Sequence, residues 1–476
     1  MSTTLTFSAA IDTEIGSPEE LESRLGTEYS AHLAIMDRRL TAALAAAGFD
    51  GAVIFAGNEQ VVFRDDQTYP FRVEPYFKAW LPLTSAPGSF LRLVPEQRPM
   101  LVYKQVDDYW HEPPSDPEGY WTQHFDIRIA RSDAEARTLA DAGPRWVAIG
   151  AAAEQAAQRG SAATRPAVND VRFLSHLDFA RAVKTTYELL CMRGAQAAAV
   201  RGHLAVAAAF GSGATELELQ QAYLGASEQR ETDLPYSNII ALNEHSATLH
   251  YQHLRPHPPS ATRSLLIDAG AEFKGYAADI TRTYSASATD DFAALIGSMD
   301  ALQQRVCGEV RPGVDFVALH ALTHRQLAAV LCEHGIVRCG ADEAVASGIT
   351  RGFLPHGLGH LLGLQVHDAG GRMADESGAQ REPPANDPYL RLTRTLQPGI
   401  VVTIEPGLYF IPALLRPLLA RHEDKLNRAM IERLLPFGGI RVEDDVEVTL
   451  DGHRNLTREA FAAATSRGRD ASSTIN

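Results

Sequence analysis

Apolar positions fall into two rhythms along this chain. Residues 1–30 are mostly polar and are expected to lie loosely on the surface. The stretch HLAIMDRRLTAALAAAG then repeats apolar residues at helical spacing, and Gly48 and Gly51 punctuate its end. GAVIF reads as a buried strand. SFLRLV, PMLVYK and WVAIG add further short strands between Pro-, Gly- and Ala-rich connections. The pattern predicts one α/β domain over residues 31–175.

A second unit follows, expected over residues 183–462. VKTTYELLCMRGAQAAAVRGHLAVAAAF carries long helical periodicity, and Thr185 with Glu188 fits a capping box that satisfies free N–H groups at the helix start. Helices dominate at first. Strand-like runs come later: SLLIDAG, VVTIEPGLYF and RVEDDVEVTL, with RPLLARHEDKLNRAMIERLL as a helical insertion between two of them. This is an α+β succession without a short-period repeat. SRGRDASSTIN, within residues 463–476, is expected to be disordered.

Composition narrows the class. With 476 residues and 45% hydrophobic content, the chain can bury large cores. A net charge of -15 argues against a general grip on nucleic acid. The opening sequence shows no basic and apolar leader, and no run is long and apolar enough for a membrane span, so a cytoplasmic protein is expected. Cys191, Cys307, Cys332 and Cys339 form no CxxC pair and read as free thiols in a reducing compartment.

The second unit sets acidic residues in costly places. Asp268 ends the apolar run LLID, Asp279 lies eleven positions later in YAADITRTY, Glu405 follows VVTI, and Glu443 sits in GGIRVEDDVEV. Charged groups beside buried strands are expensive unless paired or bound to metal. LPHGLGHLLGLQVHD adds His356, His360 and His367. HGLGH is not a zincin helix, because glycines stand where HExxH has its glutamate; they point to a loop whose backbone comes close to something bound. Singly, each residue is more often a cap, a turn or a satisfied core group. Jointly they suggest a metal centre.

If four carboxylates and one histidine converge, the donor set is oxygen-rich and lacks thiolate. That suits Mn2+, with Co2+ or Zn2+ as other candidates. Two divalent ions neutralise four carboxylates where one does not, and such a pair can bridge a water and deliver hydroxide at neutral pH.

DAG followed by ADITRT, HGLGH, TIEPG and GGIRVEDD, in that order over roughly residues 265–445, resembles the pita-bread metallopeptidases, which include aminopeptidase P, prolidase and methionine aminopeptidase. FRDDQTYPFRVEPYFKAWLPL, YWHEPP and PYLRLTRTLQPGIVVTIEPGLYF resemble the bacterial prolidase branch and the related organophosphorus acid anhydrolases. The resemblance implies a creatinase/prolidase-type α/β N-terminal domain, a pita-bread α+β catalytic domain and a homodimer. The implied reaction is metal-dependent hydrolysis of Xaa-Pro dipeptides, with organophosphate triesters as a side activity.

Carried over by position, Asp268, Asp279, His360, Glu405 and Glu443 are the implied metal ligands, Asp279 and Glu443 bridging. Glu405 is also the implied general base. His356 and His367 are expected to flank the scissile carbonyl, where donors stabilise the oxyanion. His250 is expected near the leaving group, with a structural role beside Tyr251 as its competitor. Tyr236 is expected to reach into the site. Arg391 is expected to grip the proline carboxylate, as a guanidinium fork suits. Arg441, two residues before Glu443 and so on the same strand face, either touches substrate or holds carboxylates. Trp110 is expected to shape the pocket for the N-terminal side chain, but QVDDYWH departs from the prolidase pattern: Gln105 replaces a proline and Asp108 is an extra residue. Two other readings stand beside this one. An aminopeptidase P would act on longer Xaa-Pro peptides. A pita-bread binding module would have lost metal ligands, whereas all five positions are filled here.

Overall fold

The computed structural model describes residues 17–151, 153 and 165–473. Its first half is built on a six-stranded sheet of β1 (Gly51–Phe55), β2 (Phe90–Leu93), β3 (Met100–Lys104), β4 (Asp126–Ala130), β5 (Trp146–Ile149) and β6 (Ala167–Val168), in the order β4-β3-β2-β1-β5-β6. The sheet is mixed: β1 pairs antiparallel with β2 and parallel with β5. The four strands read from apolar runs fall in place. β4 lacks a continuous apolar run and was not legible.

The opening helix corrects the boundary drawn from sequence. It runs Pro18–Ala47, with Ser17 capping Glu20 N–H at 3.3 Å and Pro18 in the first turn. Leu21, Leu25, Tyr29 and His32 are buried along one face, at spacings of three and four. Glutamates around this thin stripe disguise it as a polar segment. The remaining residues of the expected extension, 1–16, lie outside the described residues.

Strands of the second half form small sheets. β7 (Ile239–Leu242), β8 (Ser264–Asp268) and β11 (Thr281–Ser285) pair in the order β11-β8-β7, and β9 (Glu272–Phe273) pairs with β10 (Tyr276–Ala277). β12 (Val401–Ile404), β15 (Asp444–Val448) and β16 (His453–Asn455) pair in the order β12-β15-β16, and β13 (Gly407–Tyr409) pairs with β14 (Gly439–Arg441). Helices Asp291–Cys307 and Phe316–Glu333 contribute to a large core that includes β12 and β15 residues. The insertion is helical as expected, at Pro412–Arg421 and Arg428–Leu434.

Helix Thr186–Gly211 starts at the expected capping box: Glu188 N–H donates to Thr185 Oγ1 (3.3 Å) and Thr185 N–H donates to Glu188 Oε2 (2.8 Å). Its first turns pack into the N-terminal core, where Tyr187, Leu190 and Met192 join Leu25, Phe77 and Trp80 together with Val401 and Leu362. One hydrophobic cluster therefore spans both halves.

The expected disordered tail is also corrected over residues 463–473, while residues 474–476 lie outside the described residues. A helix runs Leu456–Ser473, beginning on the buried Leu456 and Thr457. Thr457 Oγ1 accepts from Asp445 N–H and donates to Gln196, which ties this helix to β15. The four cysteines are free, as expected.

Candidate metal centre

Sheet register assembles the centre. Asp268 ends β8 and faces Thr281 on β11. Thr281 also faces Glu443 through an isolated bridge. Ile404 faces Asp444, so Glu405 and Glu443 flank the same end of the β12–β15 ladder. On the other side of β12, Leu361 faces Val402, and Thr403 N–H donates to His360 carbonyl at 3.0 Å. Asp268, Glu443, Glu405 and His360 thus lie on neighbouring rungs, and Asp279 comes from the loop before β11.

The close approach of the HGLGH loop to β12 explains Gly359. A Cβ there would stand 2.0 Å from Thr403 carbonyl oxygen. Gly270 answers the same demand beside Asp268, where a Cβ would stand 2.0 Å from Ala278 carbonyl oxygen.

Side chains close on one another accordingly. His360 Nε2 lies 3.4 Å from Asp279 Oδ2 and 3.7 Å from Glu405 Oε1. Tyr236 OH reaches both Asp268 Oδ1 (2.7 Å) and Asp279 Oδ1 (2.6 Å). Arg441 Nη2 donates to Asp268 Oδ2 at 2.5 Å and Arg441 Nε stands 4.0 Å from Glu443. Asp268, Asp279, His360 and Glu443 are buried, and Glu405 is the most exposed of the five at 18%. All five expected ligands share one place.

Burial and mutual repulsion dominate the electrostatics of the cluster. Burial first, then the neighbouring carboxylates, push Glu443 well above its usual range. Burial likewise raises Asp268 and lifts Glu405 to about 7. His360 rises to about 9: burial opposes this, but Asp279 and Glu405 favour its cation. Asp279 is the one carboxyl lowered; burial works against that, and the hydrogen bond and charge of His360 outweigh it. Four carboxyl groups held this close keep their charge only against added positive charge. An oxygen-rich set with one imidazole fits divalent ions. Among the described residues, two groups have ligand atoms within 4.8 Å of one another and can hold a divalent ion: Asp279, His360 and Glu443 here, and His320, His324 and Asp387 elsewhere.

Other expected residues divide. The His367 ring lies 4.5 Å from that of His360. Burial lowers His367 to about 4, helped by the charges of His360 and Arg391. Arg391 is exposed, and its charge bears on His367. His250 is exposed too, and bears on both His356 and His367.

His356 faces Glu405 (3.6 Å), but both its ring nitrogens are engaged, Nδ1 with Gly357 carbonyl (2.8 Å) and Nε2 with Tyr409 OH (2.9 Å). Burial, then Arg441, lowers it to about 3. Arg441 is spent inside the protein, on Asp268, Tyr409 OH (2.7 Å) and Thr281 Oγ1 (3.1 Å), which favours the carboxylate-holding role over substrate contact.

Trp110 is 76% exposed; its ring packs on Tyr109 and its backbone N–H donates to Asp108 Oδ1, both in its own loop. The single chain does not bring it into the centre. Gln105 closes this loop by donating to Pro114 carbonyl (2.8 Å) and Asp116 (2.9 Å).

Sequence reading missed Tyr409 and Thr281. Tyr409 links His356 to Arg441, and Thr281 donates to Glu443 at 2.6 Å. Both stood inside recognised motifs, GLYF and ITRT, but neither is a metal-ligand type.

A mixed sheet domain joined to an α+β half, with carboxylates and an imidazole on adjoining rungs, defines a metallopeptidase. The chain belongs to metallopeptidase family M24, whose model matches residues 190–450. Residues 27–179 match the Xaa-Pro dipeptidase N-terminal domain. The chain is 47% identical over 440 residues to an Xaa-Pro dipeptidase of Stenotrophomonas maltophilia (strain R551-3), covering 92% of this chain and 98% of that one. It is 46% identical over 445 residues to the Xaa-Pro dipeptidase of Xanthomonas oryzae pv. oryzae (strain MAFF 311018), covering 92% and 99%. Its fold is similar to that of Escherichia coli aminopeptidase P with the inhibitor Pro-Leu, at a TM-score of 0.68 and 23% identity over 93% of this chain and 99% of the other. Proline aminopeptidase P II from Yersinia pestis is similar at a TM-score of 0.67 and 24% identity, covering 92% and 99%.

Proposed function

We propose that this protein is an Xaa-Pro dipeptidase working with two divalent ions, most suitably Mn2+. The observation that carries the reading is the sheet register that sets Asp268, Glu443, Glu405 and His360 on adjoining rungs with Asp279 beside them. The dipeptidases it resembles over nearly their full length support the substrate class.

Bound ions would supply an acidified water and a Lewis acid at the scissile carbonyl. The residues do the rest. Glu405, the most exposed carboxylate, takes the proton of the attacking water and returns it to the departing proline nitrogen. That nitrogen belongs to a tertiary amide without N–H, so the site reads the ring and the termini instead. His367 offers an N–H to the developing oxyanion. His356, with both nitrogens engaged, positions Glu405, and Arg441 fixes Asp268. His250 stands at the leaving-group side. Arg391 at the rim takes the free carboxylate and so favours dipeptides.

Exposed Val61, Phe63, Tyr69, Tyr109 and Trp110 in the N-terminal half support a homodimer, in which Trp110 lines the partner's pocket. No helix among the described residues is long and apolar enough to cross a membrane, which agrees with the cytoplasmic location we infer.

The test is hydrolysis of Ala-Pro, Ala-Pro-Ala and Ala-Ala by chelated protein reloaded with manganese, cobalt or zinc. Metal-dependent cleavage with Ala-Pro fastest is expected. Preference for Ala-Pro-Ala would make the protein an aminopeptidase, and no metal-dependent cleavage would reject the reading.

A further inference from the structure

A second cluster of metal-ligand types lies outside the centre described above. His320 and His324 stand four apart on helix Phe316–Glu333, so both rings leave the same face, their centroids 4.7 Å apart at 82°. Asp387 joins them from the segment leading to Arg391: its Oδ1 is 3.5 Å from His320 Nε2 and 3.9 Å from His324 Nε2.

These groups are built in rather than splayed on the surface. Both histidines are 2% exposed. His320 Nδ1 has no hydrogen-bond partner, and the Nε2 atoms of both rings face Asp387 at 3.5 and 3.9 Å, longer than a well-formed hydrogen bond. His324 Nδ1 lies 3.0 Å from Thr350 Oγ1, and with Nδ1–H donating there, the Nε2 lone pair points toward the carboxylate. Arg351 grips Asp387 with both forks, Nε to Oδ1 at 2.7 Å and Nη2 to Oδ2 at 2.9 Å, and so orients it.

Two imidazole lone pairs and a carboxylate facing one another repel, and a single N–H from His320 relieves only one of these contacts. A cation between all three removes the conflict at once. Buried polar atoms without partners are rare and call for such an explanation. We propose that His320, His324 and Asp387 bind one further divalent ion, of the zinc class, independently of the carboxylate centre. Two imidazoles and one carboxylate suit Zn2+, Co2+ or Ni2+ better than Mg2+ or Ca2+, and the three ligand atoms all lie within 4.8 Å of one another. Arg351 then acts on the ligating carboxylate from behind, as outer hydrogen-bond partners of metal ligands do.

The position gives the ion a purpose. It ties helix Phe316–Glu333 to Asp387, four residues before Arg391. The same segment packs on the HGLGH loop, where a Cβ on Gly357 would stand 2.9 Å from Leu390 Cα. Stiffening it holds the rim in place, a consequence that rests on the role proposed for Arg391; the binding itself does not.

Metal stoichiometry of the full-length protein tests the site, using Co2+ as probe in equilibrium dialysis with elemental analysis. The wild type is expected to bind three ions per chain. H320L and D387N are each expected to bind one fewer, while D279N keeps the ion held by the histidine pair. D387N preserves a hydrogen-bond acceptor for Arg351, so it serves if H320L fails to fold. A third ion that survives both H320L and D387N overturns the proposal, as does a wild type whose bound cobalt is wholly lost in D279N. One ion lost in H320L but kept in D279N upholds this site even if the two-ion centre fails.

Discussion

Arg441 and Asp268 form a buried pair, Nη2 to Oδ2 at 2.5 Å, in which the same guanidinium also donates to Tyr409 and Thr281. Asp268 is thereby oriented from behind, with its other oxygen on Tyr236. Arg441→Met should therefore weaken metal binding and activity together, by about 10- to 100-fold. Manganese titration followed by calorimetry checks it. A variant with unchanged metal affinity and a raised KM alone would restore the substrate-contact role.

Glu405→Gln keeps the shape of the site and removes the group proposed to move protons. We expect kcat on Ala-Pro to fall by about 10²- to 10⁴-fold. Bound metal is counted in parallel, since loss of a ligand would lower kcat by another route. Wild-type turnover in the loaded variant would end the assignment.

Arg391 is exposed, and its charge bears on His367. Arg391→Ala should cost Ala-Pro a large part of its kcat/KM and leave the C-terminally amidated analogue nearly unaffected. Equal losses on the two substrates would show that the side chain grips something other than the carboxylate.

Asp368, next to His367, sits between Arg181 (2.5 Å) and Lys184 (3.1 Å) with its side chain 1% exposed. Burial works to raise its pKa, but the two cations outweigh it and hold the carboxyl below its ordinary 3.8. Lys184 is itself lowered by burial, so Arg181 is the firmer partner. A depressed carboxyl stabilises the fold fully above its unfolded pKa and loses that contribution as pH falls from about 4 toward the folded value. Wild-type Tm should drop across that acid window. Asp368→Asn, which strands buried positive charge, should cost about 3–5 kcal/mol at neutral pH and flatten the acid dependence. Parallel acid slopes in the two proteins would contradict this.

Much of the centre was legible because its ligands sit at strand ends, where a charge after an apolar run stands out. Asp268 after SLLI and Glu405 after VVTI are such cases. Tyr409 and Arg441 were harder, because their roles come from register between β13 and β14, which pairs Tyr409 with Gly439 and is not written in either segment alone. The opening helix was misread for a different reason. Its buried face is one residue wide, and composition averaged over the segment hides a stripe that spacing preserves. Trp110 carries no local signal for its surroundings, and it stands 76% exposed in its own loop.

The hydrophobic cluster shared by both halves sets how the protein comes apart. Tyr187 and Leu190 belong to the second half by sequence but are covered by Leu25, Phe77 and Trp80 of the first. Melting should thus be a single concerted event rather than two. A fragment trimmed to the matched peptidase region would present a bare greasy wall to water, and clumping, not a smaller enzyme, is the outcome to plan for.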